Sequence, residues 1–382
     1  MDKSLISQHF RRQFSSEPEL LVRAPGRINL IGEHTDYNGG FVLPAAIDKA
    51  IWLAASRRPD KRLVFYAADL DETFVAEEGD TVFQQEKKWA NYLLGVVSEA
   101  RRDGMLIGGL NLAFGGDVPL GAGLSSSAAL ESGMMFALDR IFGLGLAPME
   151  IVRLAQRGEN RFVGMKCGIM DMFASVMGQA DHVVRLDCRS LEYAYFPFHA
   201  GDYSLLLLDS GVKHQLVDSE YNTRREECEK GVELLRRFDA GIESLRDVSG
   251  DFLVRHREHL PETVYRRCHF VVEEIARVEA ACAALQADDF EELGRLMFAG
   301  HEGLDREYEV CVAETNFLAD FARRRITGAR QMGGGFGGCT INLLKTSEMD
   351  AFLQDIFQAY RQQFNLELKC YPVKLTGGVA AA

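Results

Sequence analysis

No apolar run in the 382-residue chain approaches the ~18 residues that read as a bilayer-spanning helix, so no such helix is predicted. Positive charge is also in short supply: 43 Lys and Arg stand against 56 Asp and Glu, a formal net charge of -13. Nucleic acid and anionic membrane would be repelled at long range and are excluded as main partners, while an anionic substrate would need a local basic or backbone-amide site. The eight cysteines (167, 188, 228, 268, 282, 311, 339 and 370) include no pair at the two-residue spacing of zinc or redox sites, and they read as reduced thiols of a cytoplasmic protein. Internal repeats and low-complexity tracts are missing. At the N-terminus Leu5, Ile6, Phe10 and Phe14 recur at helical spacing among Lys3, Arg11 and Arg12, which predicts a short amphipathic helix without the apolar core of a signal peptide. The Gly/Ala-rich end, 377–382, reads as a frayed tail.

What is present is apolar mass and a few dense polar motifs. With 47% hydrophobic residues and a length beyond the usual single-domain limit of about 250 to 300 residues, two domains are expected, 1–200 and 201–382. Strand patterns fall near 20–24, 41–47, 51–55, 63–66 and 110–114, and helical patterns at 126–142 and 148–162. The early strands follow one another without intervening helices, which argues against a doubly wound parallel sheet and for an α+β fold. The second half opens on an apolar strand, 203–209, and continues with helices at 219–238, 262–285 and 290–301. A glycine cluster follows, then a strand at 340–344, a helix at 349–364 and a last strand near 366–373. Whether the last strand returns to the first domain is left open by the pattern.

The densest polar motif is Gly26-Arg27-Ile28-Asn29-Leu30-Ile31-Gly32-Glu33-His34-Thr35-Asp36-Tyr37. A turn needs few such groups to hold itself together, whereas a polyhydroxylated ligand needs a partner for each hydroxyl taken out of water; a solvated loop with a surface ion pair is the plainer alternative. A second motif, Pro119-Leu120-Gly121-Ala122-Gly123-Leu124-Ser125-Ser126-Ser127, lies between a strand and a helix. Glycines admit a phosphate close to the backbone, and the helix N-terminus offers unpaired N–H groups and a positive dipole end, although glycine also makes ordinary turns. A Walker loop would end in Gly-Lys-Ser/Thr, and a dinucleotide fingerprint would add a third glycine; neither is met. A third run, 333–339, places five glycines among six residues, which suits either close packing or a ligand loop.

The first motif resembles the signature of galactokinases, within the GHMP family of small-molecule kinases, and the glycine loops resemble that family's second and third motifs in the same order. The resemblance implies a two-domain GHMP kinase fold with the active site between the domains. It also implies transfer of the γ-phosphoryl group of ATP to O1 of galactose, with Mg²⁺, as the opening step of galactose catabolism. Galactose and ATP are then the partners, and a monomer is expected. Residue by residue, Glu33, His34, Thr35, Asp36 and Tyr221 would contact the sugar. Gly121, Ala122, Gly123, Leu124, Ser125, Ser126 and Ser127 would wrap the phosphates, and Ser127 with Glu159 would hold Mg²⁺. Asp171, in Cys167-Gly168-Ile169-Met170-Asp171, would be the catalytic base, and Arg27 would stabilise charge on the transferring group and help keep Asp171 ionised. Composition alone would read Glu159 as a solvated helix residue and Asp171 as a helix cap. Met172 follows Asp171 where many relatives carry Gln, and Trp89-Ala90-Asn91-Tyr92 falls where the family forms its adenine pocket, or equally packs in a core. The same resemblance leaves room for an N-acetylgalactosamine kinase or a non-catalytic galactose sensor, and a glycoside hydrolase using paired carboxylates would not need the phosphate loop.

Overall fold

The structure, a computed structural model, describes residues 1–77, 81–119, 121–213 and 217–382. Its strands are β1 (Leu20–Asn29), β2 (Phe41–Val42), β3 (Pro44–Arg58), β4 (Leu63–Ala67), β5 (Glu72–Ala76), β6 (Gly109–Gly116), β7 (His182–Asp187), β8 (Tyr193–Pro197), β9 (Tyr203–Lys213), β10 (Gly328–Gln331), β11 (Gly337–Lys345), β12 (Lys369–Val373) and β13 (Ala380–Ala381). They form a six-stranded sheet ordered β13-β1-β3-β6-β4-β5, a four-stranded sheet β10-β11-β9-β12 and a small sheet β2-β7-β8. Neighbours are antiparallel throughout except β4 and β6.

The helices are α1 (Lys3–Phe14), α2 (Ala90–Arg102), α3 (Ser126–Phe142), α4 (Pro148–Gly158), α5 (Met170–Met177), α6 (Val217–Leu235), α7 (Gly250–Arg255), α8 (Glu262–Gln286), α9 (Phe290–Gly303), α10 (Ala313–Ala322) and α11 (Met349–Phe364). The expected N-terminal helix is α1: Asp2 caps it by accepting from the Leu5 N–H at 2.9 Å, and its Ile6 and Phe10 are buried with Ala54 and Ala113 of the first sheet. Helix α3 lies on β1 and β3 with α5 beside it, while α2 and α4 pack against α3. In the second half α9 lies on β10 and α10 on β11, and α8 packs between α6 and α9. The largest apolar cluster draws on both halves, joining Ile28, Leu53 and Met134 to Leu207, Met297 and Ile341. Among the described residues no helix is long and apolar enough to cross a membrane.

Three expectations need correction. The strands expected at 41–47 and 51–55 are largely one continuous strand, β3. The polar pair Asp48-Lys49 between the two expected runs is tied down, Asp48 through backbone and carboxylate bonds to Lys374 and Lys49 through Asp117 at 3.6 Å. The helix expected over 148–162 stops at Gly158 and passes into a single π-type turn, Glu159–Val163. The tail is not frayed: β13 pairs with the open edge of β1, and the Gly378 and Val379 N–H groups donate to Gly178 and Ser175 carbonyls at 2.8 Å, because an uncovered strand edge presents a row of unmet backbone groups.

Candidate active site

A cavity of about 420 Å³ is walled by the turn after β1, the glycine loop before α3, the start of α5, Tyr221 of α6 and the glycine run between β10 and β11, a size suited to a small ligand. Strand β1 slips register against β3 between Pro25 and Arg27, and a bulge of this kind re-aims the side chains beside it. Arg27 is thereby turned, almost fully buried, into the wall. Its Nε donates to Asp171 Oδ1 at 2.8 Å and its Nη2 to Oδ2 at 3.0 Å, a bidentate pair. Nη1 donates to the Gly123 carbonyl, and Ser125 Oγ donates to Asp171 Oδ2. Asp171 stands in the first turn of α5 with its side chain 27% exposed, so part of the carboxylate still faces the cavity. Arg27 was expected to stabilise charge on the transferring group and to help keep Asp171 ionised. Three of the five donors a guanidinium carries are committed to Asp171 and Gly123, which places the cation against that carboxylate and ties the glycine loop to it. Met172 is fully buried in the core, and Asp171 draws its hydrogen bonds from Arg27 and Ser125.

In the turn after β1, Glu33 is 3% exposed. Its Oε1 accepts from the Gly333 N–H at 2.9 Å and lies 2.9 Å from Nη2 of the fully buried Arg330, an ion pair whose N–H bonds do not point squarely at the oxygen. Burial outweighs these partners and moves the Glu33 carboxyl above its ordinary range. His34 adopts a left-handed backbone, φ 62°, uncommon outside glycine and held by Asn38 Nδ2 donating to the His34 carbonyl at 2.8 Å. Burial, and then the charges of Arg224 and Arg330, lower its pKa to about 3, so the ring is neutral. Asp36 lies on the cavity wall, and burial followed by the charge of Asp171 pushes its carboxyl up to about 7. Gly168 makes room for it: a Cβ there would sit 1.6 Å from Asp36 Oδ2. Tyr221 closes this side, its ring 5.5 Å from that of His34.

The glycine loop delivers Gly121, Gly123, Leu124, Ser125, Ser126 and Ser127 to the cavity. Ser125 has a left-handed backbone, φ 55°, and no side chain caps α3, so the helix N-terminus keeps the amide donors that anions bind. The glycine run supports the loop from behind: a Cβ on Gly333 would come within 3.3 Å of the Gly123 Cα. Glu159, in the π-type turn, is buried at the cavity floor, and burial pushes its carboxyl up to about 7. The groups acting most strongly on it are Cys167, Asp171, Ser127 and Glu131, none of them cationic. A carboxyl and the Ser127 hydroxyl together make a hard oxygen donor set in want of positive charge, which fits Mg²⁺.

Thr35 and Ala122 fall elsewhere. Thr35 Oγ1 lies 2.8 and 2.6 Å from the Gly32 and Phe41 carbonyl oxygens, which share its single proton, and is wholly buried behind the wall, locking the turn. Ala122 is likewise buried and outside the cavity lining. Leu120 lies outside the described residues. Trp89 packs edge-on against Phe74 at 6.5 Å and donates to Glu72 at 2.7 Å, a core and edge role away from the cavity. Sequence reasoning missed Arg330, Gly168 and Glu274, whose Oε1 accepts from the Gly32 N–H at 2.9 Å across the two halves. The one usable signal was position: Arg330 and Gly168 each sit three residues ahead of a motif already singled out, the glycine run at Gly333 and Asp171.

The chain is similar to known proteins over nearly its whole length. The galactokinase galactose-binding signature matches residues 8–57, and the GHMP kinases N terminal domain matches residues 91–179. A galactokinase of Roseiflexus sp. (strain RS-1) is 40% identical over 99% of the chain and 97% of its own length. One from Thermotoga neapolitana is 40% identical over 94% of the chain and 99% of its own length. The crystal structure of Lactococcus lactis galactokinase complexed with galactose superposes with a TM-score of 0.95 at 31% identity, covering 99% of both chains. A mevalonate kinase from Methanococcus jannaschii, at 15% identity and a TM-score of 0.69 over 94% of this chain and 98% of its own, shares the fold.

Proposed function

The chain belongs to the galactokinases, a branch of the GHMP kinases and ATP-dependent sugar kinases by activity, and on that premise we propose how its residues transfer the γ-phosphoryl group of ATP to O1 of galactose. The observation that carries the assignment is the Asp171 carboxylate, gripped by Arg27 and Ser125 on the wall between the turn after β1 and the glycine loop. The turn holds the sugar through Glu33, His34 and Asp36, with Tyr221 against it, and the backbone from Gly121 to Ser127 receives the phosphates. Asp171 accepts the O1 proton. Phosphoryl transfer passes through a loose transition state, so positioning and charge stabilisation supply most of the acceleration and the proton can leave late.

Mg²⁺ would be held by Ser127 and Glu159 and, when bound, supplies positive charge to the phosphate oxygens. Residues 1–200 and 201–382 form the two domains, a division supported by the second sheet opening at Tyr203 and by a cavity lined from both sides, with β13 the piece that returns to the first sheet. The enzyme acts as a monomer in the cytoplasm; eight unpaired cysteines suit a reducing compartment. The test of the reading is Asp171→Asn, which keeps shape but removes charge and proton acceptor. We expect kcat to fall about 10²-fold or more, with galactose affinity by calorimetry largely retained. An unchanged kcat in the folded variant would reduce Asp171 to a helix cap.

A further inference from the structure

His34 touches the cavity with one nitrogen unaccounted for. Its Nδ1 lies 2.7 Å from the Tyr37 hydroxyl, while Nε2 is buried and has no partner in the protein. A neutral imidazole carries one proton, so what Nε2 offers a sugar hydroxyl, a donor or an acceptor, depends on which way the Tyr37 bond runs. That bond does not end at Tyr37. The Tyr37 hydroxyl lies 2.8 Å from that of Tyr308, and Tyr308 lies 3.3 Å from Cys228 Sγ. Tyr308 and Cys228 stand outside the cavity wall, fully buried in the second half of the chain.

We propose that Cys228, Tyr308 and Tyr37 form a directional hydrogen-bond chain that fixes His34 in the tautomer protonated on Nε2, so that the ring presents a donor to one sugar hydroxyl. The direction follows from donor and acceptor strengths at the two ends. Run inward, the chain is S–H to Tyr308 oxygen, Tyr308 O–H to Tyr37 oxygen and Tyr37 O–H to Nδ1, ending on an imidazole nitrogen, a strong acceptor. Run outward, it ends with Tyr308 donating to sulfur, a weak one. Burial pushes the Cys228 thiol up to about 11, so the far end keeps the proton that the inward direction uses. The ring is also held from the sides by Tyr308 and Tyr221, with centroids 4.6 and 5.5 Å away. Tyr37, Tyr308 and Cys228 are positioning residues acting through His34.

The inference rests on galactose as the substrate, but its first test does not. In protein labelled with ¹⁵N-histidine, two-bond ¹H–¹⁵N spectra of His34, identified by its loss in His34→Gln, should show a bare Nδ1 and a protonated Nε2. A protonated Nδ1 overturns the proposal whatever the substrate. The second test compares wild type with Tyr37→Phe and Tyr308→Phe on galactose and on galactoses deoxygenated singly at C2, C3, C4 and C6. Loss of one neutral hydrogen bond predicts a KM for galactose about tenfold higher in Tyr37→Phe and a few-fold higher in Tyr308→Phe, with kcat little changed. For one deoxy sugar, the one lacking the hydroxyl that accepts from Nε2–H, the KM difference between Tyr37→Phe and wild type should vanish. An equal penalty on every sugar would reduce the tyrosines to packing and refute the chain. Failure of all enzymes to use galactose would instead remove the functional reading and leave the spectroscopic result standing.

Discussion

Gly168→Ala should damage sugar binding through a single clash. An added Cβ would stand 1.6 Å from Asp36 Oδ2 and 2.3 Å from its Cγ, against the roughly 3.5 Å that non-bonded atoms prefer. The Asp36 backbone cannot yield, because Asn38 and Gly40 both donate to the Thr35 carbonyl and Gly39 donates to that of Asp36. The carboxylate must therefore rotate away by about 2 Å, beyond hydrogen-bond range. A hydrogen bond to a charged group contributes about 1.5 to 3 kcal/mol, so KM for galactose should rise between about 10- and 150-fold. Arg27 and Ser125 still hold Asp171, and kcat should fall much less. ADP release followed against galactose concentration separates the two constants. The decisive comparison is the double variant: with Asp36→Ala the clash has no object, so adding Gly168→Ala should cost almost nothing further. A KM within twofold of wild type in Gly168→Ala, or a penalty that adds in full to that of Asp36→Ala, would refute the account.

Because Asp36 is pushed up to about 7, it contributes stability to the free protein that is full below about pH 4 and is lost as pH rises through 7, while its ability to accept from the sugar grows over the same range; galactose affinity should therefore rise from pH 6 to 8, and Asp36→Asn should flatten that profile in calorimetry. Ser127→Ala and Glu159→Gln should each raise the Mg²⁺ concentration for half-maximal rate, and the double variant should lose less than the sum, since they serve one ion; strictly additive losses would place the metal elsewhere. Arg330→Met strips the buried Glu33 of its cation and should destabilise the protein by about 3 to 5 kcal/mol in urea unfolding, whereas adding Glu33→Gln should recover much of it; no recovery would mean that Arg330 matters for packing alone.

The parts of the site that sequence made legible are local ones. Glu33, His34 and Asp36 share a single turn, and Gly121 to Ser127 share a single loop, so residue type and spacing already state the chemistry. Asp171 and Glu159 were reached only through the resemblance, since a lone acid near a helix start carries no distinguishing pattern. What stayed hidden is which distant groups meet these loops. Glu274 accepts from Gly32 across 242 residues, and the Gly333 N–H reaches Glu33 across 300; periodicity reports which face of an element is buried and never against what. The same limit explains Thr35, whose hydroxyl turned inward to two carbonyls, as a buried hydroxyl must when no ligand reaches it. Short half-exposed strands such as β5 and β8 escaped notice because so few of their residues are buried that alternation never develops.

Charge balance within the cavity separates its carboxylates into two kinds. Glu33 faces Arg330 and Asp171 faces Arg27, so each has its cation inside the protein. Asp36 and Glu159 form no ion pair among the described residues, and both are pushed up to about 7. Folding leaves these two groups without a cation, at a cost that burial imposes on any unpaired carboxylate and that the few hydrogen bonds they accept do not offset. The shortfall lies where ligands arrive: Asp36 beside the sugar loop, where hydroxyl donors would satisfy it, and Glu159 beside Ser127, where a divalent cation would. Each ligand then gains from relieving a strain the free enzyme already carries, and the proton each carboxyl holds near neutral pH must leave as its ligand enters. Galactose binding and Mg²⁺ binding should each release a proton near pH 6.5, measurable as a dependence of the calorimetric heat on buffer ionisation enthalpy. Equal heats in all buffers would show that both carboxyls are already ionised and that the unpaired state carries no such cost.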